Sequence, residues 1–245
     1  MRKFGLIGYP LSHSFSQRFF TEKFLKENIT DCVYENYPLE TIQGFSSLVQ
    51  SEKDLNGLNV TIPYKEQIIP FLHFKDPVVG KIGACNCIRI GGGKFWGYNT
   101  DVRGFKIALQ KKLQPFHTHA LVLGTGGASK AVAYALTELG LRYTLVSRGQ
   151  DLPANLLPWT SLNKSLLESH LLIVNTTPLG MYPRVDEYPP IPYESITPRH
   201  YLFDLVYNPE ETIFLKKGEE RGAATENGRE MLVIQAEESW KIWNE

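Results

Sequence analysis

Residues 120–139 constrain the fold more than any other stretch, because they read as a buried strand running through a glycine turn into a helix. Ala120-Leu121-Val122-Leu123 is a short apolar run suited to a strand covered on both faces, and Ala131 to Leu139 favours helix. Between them stand Gly124, Thr125, Gly126, Gly127, Ala128 and Ser129. At such a helix start the peptide N–H groups point outward together and the helix dipole adds partial positive charge, so a phosphate fits there. Small residues let a ligand approach the backbone closely. The pattern departs from G-x-G-x-x-G in carrying Ser129 where the third glycine would fall. A second reading stays open, in which the glycines only let strand and helix pack closely.

The chain's 245 residues suffice for one large domain or two modest ones. Lys plus Arg and Asp plus Glu are 26 each, so the formal charge is zero and nothing calls for nucleic acid or an anionic membrane. The apolar run after Met1-Arg2-Lys3 breaks at Tyr9-Pro10, too early for a signal peptide, and no run reaches the length of a membrane span. Cys32, Cys85 and Cys87 cannot all pair, which suggests reduced thiols and a cytoplasmic location. No second cysteine pair or nearby histidine completes a metal site, so no metal is expected.

Alternation of strand-like and helix-like segments predicts an α/β fold. Strands are expected at 3–8, 32–37 and 57–61 and helices at 14–28 and 39–51, a βαβαβ pattern that implies parallel pairing. Residues 86–98, turning at Gly91-Gly92-Gly93, read as an added hairpin. A helix at 105–113 leads to the second half, with strands at 120–123, 142–146, 171–175 and 201–204, a helix at 129–139, a proline-rich loop at 178–198 and a helix near 212–221. The last helix, 228–243, carries Val233, Ala236, Trp240 and Trp243 as its packing stripe, with Gln235 beside it. We therefore expect two α/β domains with a cleft between them, 1–101 completed by 227–245, and 102–226.

Several residues stand where chemistry is expected. The strand after the glycine turn ends in Ser147-Arg148 with no acidic residue before Asp151, which favours a 2'-phosphate on Arg148 over a free ribose hydroxyl, hence NADP. An ordinary solvated Arg is the alternative. Asn59, Thr61 and Lys65 follow a predicted parallel strand; Pro63 reads as the first residue of a helix, placing Lys65 against the dipole. An exposed lysine is the competing reading. Asp101, after Asn99-Thr100, reads either as a helix cap or as a partner for Lys65 in delivering a proton to a ketone oxygen as hydride arrives at carbon. His117 and His119 are placed at a solvent edge, binding nothing.

In order along nearly the whole chain, the segments Gly8-Tyr9-Pro10 with His13-Ser14-Phe15-Ser16, Asn59 to Lys65, Gly83-Ala84-Cys85-Asn86, Asn99-Thr100-Asp101, Gly124 to Ser129, Asn175 to Met181, Asp204-Leu205-Val206-Tyr207 and Met231 to Ala236 resemble shikimate dehydrogenase. The resemblance implies a substrate domain with a mainly parallel sheet, a Rossmann-like NADP-binding domain, and reversible NADPH-dependent reduction of 3-dehydroshikimate to shikimate in aromatic amino acid biosynthesis. It implies a monomer or homodimer whose partners are small molecules. By the same resemblance Ser14 and Ser16 hold the substrate carboxylate, while Asn59, Thr61, Asn86, Asp101 and Gln235 bind its hydroxyls. Lys65 and Asp101 are catalytic and Tyr207 lines the pocket. Gly124, Thr125, Gly126, Gly127, Ala128, Ser129, Ser147, Arg148, Thr176 and Gly228 bind NADP. His13 is read as structural.

The chain departs from the family pattern in four places. Gln17 replaces a proline and with Ser14 forms S-x-x-Q, a capping box that competes for the Ser14 hydroxyl. Cys87 replaces a threonine, Gly149 replaces a threonine after Arg148, and Arg229-Glu230 follow Gly228 where small or apolar residues are usual. Loss of the hydroxyl near Arg148 weakens the case for strict NADP use, so a quinate and shikimate dehydrogenase using NAD is an alternative. A nicotinamide-binding sensor without turnover is another, opposed by the presence of both Lys65 and Asp101.

Overall fold

The computed structural model describes residues 1–11, 14–149 and 156–245. Two compact units emerge, Met1–Thr100 with Val233–Glu245, and Asp101–Leu232. His13 and Asp151, which entered the sequence reading, lie outside the described residues.

The first unit comprises β1 (Arg2–Gly8), α1 (Phe15–Lys26), β2 (Cys32–Pro38), α2 (Gly44–Ser51), β3 (Leu55–Val60), β4 (Phe74–Lys75), α3 (Pro77–Ile82), β5 (Cys87–Gly91) and β6 (Lys94–Tyr98). Among the described residues its sheet has six strands, ordered β2-β1-β3-β5-β6-β4. β2, β1 and β3 are parallel, as the alternation predicts, and β5 and β6 add the antiparallel hairpin. Side chains alternate across β1, so Phe4 and Leu6 face an aromatic cluster with Phe20, Phe24, Tyr34 and Trp243, while Ile7 joins Phe45, Leu58, Val60 and Ile88 on the other face. α2 is shorter than the predicted 39–51.

The second unit comprises α4 (Asp101–Gln110), β7 (His119–Leu123), α5 (Gly127–Glu138), β8 (Arg142–Ser147), β9 (Leu156–Pro158), α6 (Lys164–Ser169), β10 (Leu172–Asn175), β11 (Tyr201–Asp204), α7 (Ile213–Glu219) and β12 (Ala224–Glu226), and it holds the start of α8 (Arg229–Trp243). Among the described residues all its strands are parallel, ordered β9-β8-β7-β10-β11-β12. Numbered from β7, that is the 3-2-1-4-5-6 order of a doubly wound dinucleotide-binding sheet. Its central strands are apolar on both faces because helices cover both, and Leu121, Leu123, Val146, Ile173 and Leu202 share one core with Phe214.

Three expectations are corrected. Pro63 does not open a helix: the Ile62–Pro63 peptide is cis and the Tyr64 N–H donates to the Thr61 carbonyl at 2.9 Å, closing a tight turn. Lys65 therefore does not stand in a helical first turn, and the dipole argument for it falls away. On α8 the expected stripe holds at Ala236, Trp240 and Trp243, which pack in the aromatic cluster, but Val233 is 36% exposed while Gln235 and Ser239 are 6% and 0% exposed. Gln235, Ser239 and Trp243 lie one turn apart, and the helix faces them to the sheet because polar groups there satisfy them. His117 is buried rather than at a solvent edge.

The Nδ1 atom of His117 accepts from the Gln114 N–H at 3.0 Å and Nε2 faces the Arg199 carbonyl at 2.9 Å, an arrangement that the neutral ring satisfies. His200 repeats it, with Nδ1 accepting from the Thr197 N–H at 3.0 Å and Nε2 facing the Leu167 carbonyl at 3.1 Å. Burial lowers the proton affinity of His117, His170 and His200 below the ordinary 6.5. The folded chain thus binds these protons less tightly than the unfolded chain. Their contribution to stability is intact above pH 6.5 and is lost as pH falls below it. In His200→Asn the amide oxygen can take the Thr197 N–H without titrating, so the stability gap between wild type and variant should shrink from pH 7.5 to pH 5. Urea unfolding at the two pH values measures it, and a constant gap would remove His200 as the source.

Candidate functional site

In the first unit the predicted residues gather at one end of the sheet. β1 and β3 end there, and the register pairs Asn59 with Cys87 and Cys87 with Tyr98, so Thr61, Asn86 and Thr100 emerge at the same end. The Lys65 carbonyl accepts from the Cys85 N–H at 2.8 Å, which ties the half-buried lysine to the chain entering Asn86. The Thr61 N–H donates to the Ile7 carbonyl at 2.9 Å.

Ser14 caps α1, its hydroxyl oxygen accepting from the Gln17 N–H at 3.2 Å. Only half of the predicted capping box forms, since the Gln17 Oε1 accepts from Asn36 Nδ2 at 2.8 Å. Because Ser14 uses a lone pair for the cap, its own O–H can still donate to an anion. Ser16, the second residue of α1, is buried beside the Tyr34 hydroxyl.

Asn86 and Gln235 are buried together. The Asn86 Oδ1 accepts from the Thr100 N–H at 2.7 Å, and its Nδ2 donates to Thr100 Oγ1 at 3.0 Å and Gln235 Oε1 at 3.4 Å. Asn59 has its amide engaged within the protein. Its Oδ1 accepts from the Tyr34 hydroxyl at 2.9 Å, and its Nδ2 donates to Ser239 Oγ at 2.9 Å and the Asn86 carbonyl at 3.3 Å. Burial pushes the Tyr34 phenol well above its usual range, keeping it a donor. Tyr34, Thr100 and Ser239 escaped the sequence reading; the position of Ser239, four residues after Gln235, is the signal that pointed to it.

No disulfide joins Cys32, Cys85 and Cys87. Burial pushes Cys32 up to about 11 and Cys87 higher still. No cluster able to hold a metal occurs among the described residues. No helix there is long and apolar enough to cross a membrane.

In the second unit the glycine turn follows β7, at the point where strand order reverses between β7 and β10. Gly124 has φ of 114°, a backbone that L side chains rarely adopt, and Thr176 and Thr177 pack against it. The Thr176 hydroxyl donates to the Leu123 carbonyl at 2.7 Å, joining the ends of the two strands. Gly126 caps α5, and a side chain there would meet open space. Ser129 is buried and its hydroxyl donates to the Gly126 carbonyl at 2.7 Å, so it braces the turn from within. Thr125 and Gly126 are exposed, while Gly127 and Ala128 are half-buried. Ser147 ends β8, and Arg148 follows it, exposed. An open helix start beside an exposed arginine at the neighbouring strand end fits a dinucleotide phosphate group.

Gly228 packs on the Leu205 backbone so closely that any Cβ would overlap the Leu205 carbonyl. Its role in this unit is that contact, which sets the entry to α8. Tyr207 is half-buried just after β11. Asp101 is buried in the first turn of α4, where a carboxylate complements the dipole, so it is helical rather than a cap ahead of the helix. At the end of β11, Asp204 accepts from Asn175 Nδ2, the Val206 N–H and the Thr212 hydroxyl at 2.9, 3.0 and 2.6 Å. Burial pushes this carboxyl up to about 7, and the three donors oppose that shift.

Residues 6–88 match the family model described as the shikimate dehydrogenase substrate binding domain. A relative from Desulforamulus reducens named shikimate dehydrogenase (NADP(+)) is 37% identical over 98% of this chain and 88% of its own length. Shikimate dehydrogenase from Aquifex aeolicus superposes with a TM-score of 0.88 at 32% identity, covering 100% of this chain and 92% of that one. The Thermus thermophilus enzyme, crystallised with NADP(H) and shikimate, gives 0.86 at 29% identity, over 99% of this chain and 93% of that one. With its order of motifs, its two α/β units and these full-length likenesses, the chain belongs to the shikimate dehydrogenase family.

Proposed function

We propose that this chain interconverts 3-dehydroshikimate and shikimate with NADP, using residues 1–101 and 227–245 for the substrate and 102–226 for the cofactor. What supports the reading most is that Lys65, Asn86, Asp101 and Gln235 occur together with an open glycine turn and Arg148 in a chain of this family. Ketone reduction needs a hydride at carbon and a proton at oxygen. NADP, held by the Gly124–Ser129 turn with Arg148 on its 2'-phosphate, supplies the hydride chemistry when bound. Lys65 gives the proton to the carbonyl oxygen in reduction and takes it from the hydroxyl in oxidation, with Asp101 as the second proton-handling residue. Ser14 donates to the substrate carboxylate at the α1 start, where the helix dipole favours negative charge. The Asn86 and Gln235 amides, which donate and accept at once, suit neighbouring ring hydroxyls; Thr61 and Tyr207 complete the substrate set.

Spectrophotometric assay of shikimate with NADP tests the reading directly, and no NADPH formation by folded protein would refute it. Gly149 after Arg148 favours a second reading, in which NAD and quinate are also used, since a hydroxyl near the phosphate is missing. Arg148→Ala should lower kcat/KM for NADP by about 10- to 100-fold and alter that for NAD by less than about 3-fold. Equal losses with both cofactors would separate Arg148 from the 2'-phosphate, and a higher kcat/KM for quinate than for shikimate would favour the second reading.

A further inference from the structure

The polar groups behind Asn86 and Gln235 form a connected series rather than a scatter of satisfied donors, and its Tyr34 end also meets Ser16. The Asn86 carbonyl can only accept, and it already takes the Val60 N–H at 2.9 Å. Asn59 must therefore turn Nδ2 toward it, since the flipped amide would set two oxygens face to face. That leaves Oδ1 to meet the Tyr34 hydroxyl and the other amide hydrogen to meet Ser239. Ser239 has one hydrogen of its own, within reach of the Gln235 carbonyl at 2.9 Å, and its oxygen lies 3.3 Å from Thr100 Oγ1. Thr100 in turn grips both ends of the Asn86 amide and approaches Gln235 Oε1 at 3.4 Å. Every side chain in the series is buried, so no water is at hand to replace a lost partner.

We infer that Tyr34, Asn59 and Ser239 are positioning residues, a buried hydrogen-bonded chain that passes through Thr100 to fix how the Asn86 and Gln235 amides present their donors and acceptors. This rests on the reading that those two amides bind the substrate hydroxyls. It changes the part played by Asn59, whose amide acts on the substrate through Asn86 instead of touching it. Trp243, one turn beyond Ser239, anchors the helix by donating Nε1–H to the Ile88 carbonyl at 3.0 Å, so Ser239 meets Asn59 from a fixed support. Orientation is what such a chain controls. An amide rotated by a half turn exchanges donor for acceptor at the same place, and a ring hydroxyl pair reads that exchange as a mismatch.

Tyr34→Phe removes one hydroxyl with little change of volume, and Ser239→Ala removes the other end of the chain. Each should raise KM for shikimate by about 5- to 30-fold while kcat and KM for NADP stay within about 3-fold. The double variant should resemble the worse single variant, because both break one chain. Calorimetric titration of shikimate, scaled to the folded fraction from circular dichroism, keeps the test valid if a variant is partly unfolded. A wild-type KM in both variants, or a fall in kcat alone matching the folded fraction, would overturn the positioning role and leave the proposed activity standing. Absence of shikimate turnover and binding in the wild type would overturn both.

Discussion

Lys65→Met is expected to lower kcat for shikimate oxidation by about 10²- to 10⁴-fold, with a much smaller change in shikimate binding. Methionine keeps the length and most of the apolar stem of lysine but has no proton to move. The backbone that carries the side chain is pinned independently, by the Cys85 N–H on the Lys65 carbonyl and by the Thr61–Tyr64 turn before it. Removing the ammonium should therefore leave the surrounding chain in place and subtract only proton transfer. Steady-state kinetics with saturating NADP, together with calorimetric binding of shikimate, separates the two effects. Near wild-type turnover would take Lys65 out of the mechanism.

Asp204→Ala is expected to have the largest effect on stability, about 3–5 kcal/mol, because three buried donors lose their acceptor at once. Asn175, Val206 and Thr212 come from β10, the loop after β11 and the cap of α7, and the carboxylate holds all three. A loss of this size is a substantial part of the stability of an ordinary domain, roughly 5–15 kcal/mol. Asp204→Asn should recover a large share, since one oxygen remains for the Asn175 and Val206 donors and the Thr212 hydroxyl can rotate to accept. Urea unfolding of the three proteins at pH 8 measures the order. An alanine variant as stable as the asparagine variant would show that the donors find other partners.

Much of the second unit was legible along the chain. The Ala120–Leu123 run, the glycine turn and the helix after it need only local chemistry, and each formed within two residues of its predicted place. The short strands β4, β9 and β12 were not legible. Two or three residues carry no period of their own, and these are strands only because a neighbouring strand offers them a ladder. The prediction at Pro63 failed for a related reason. Proline fixes φ locally and is compatible with a helix start or a tight turn, and the contacts of the Thr61–Tyr64 segment chose the turn.

The sequence by itself determined the alternation behind the parallel strands of both sheets, the cap at Ser14 and the glycine turn after β7. Each depends on neighbours within a few positions, which is the range over which propensity and capping act. Only the tertiary structure decided that Gln235 and Ser239 join the buried face of α8 and which groups the Asn59 amide meets. Asn59 and Ser239 are 180 positions apart, and no periodicity links them. They meet because β3 and α8 pack together, and once buried each polar group must find a partner or lose several kcal/mol of solvation.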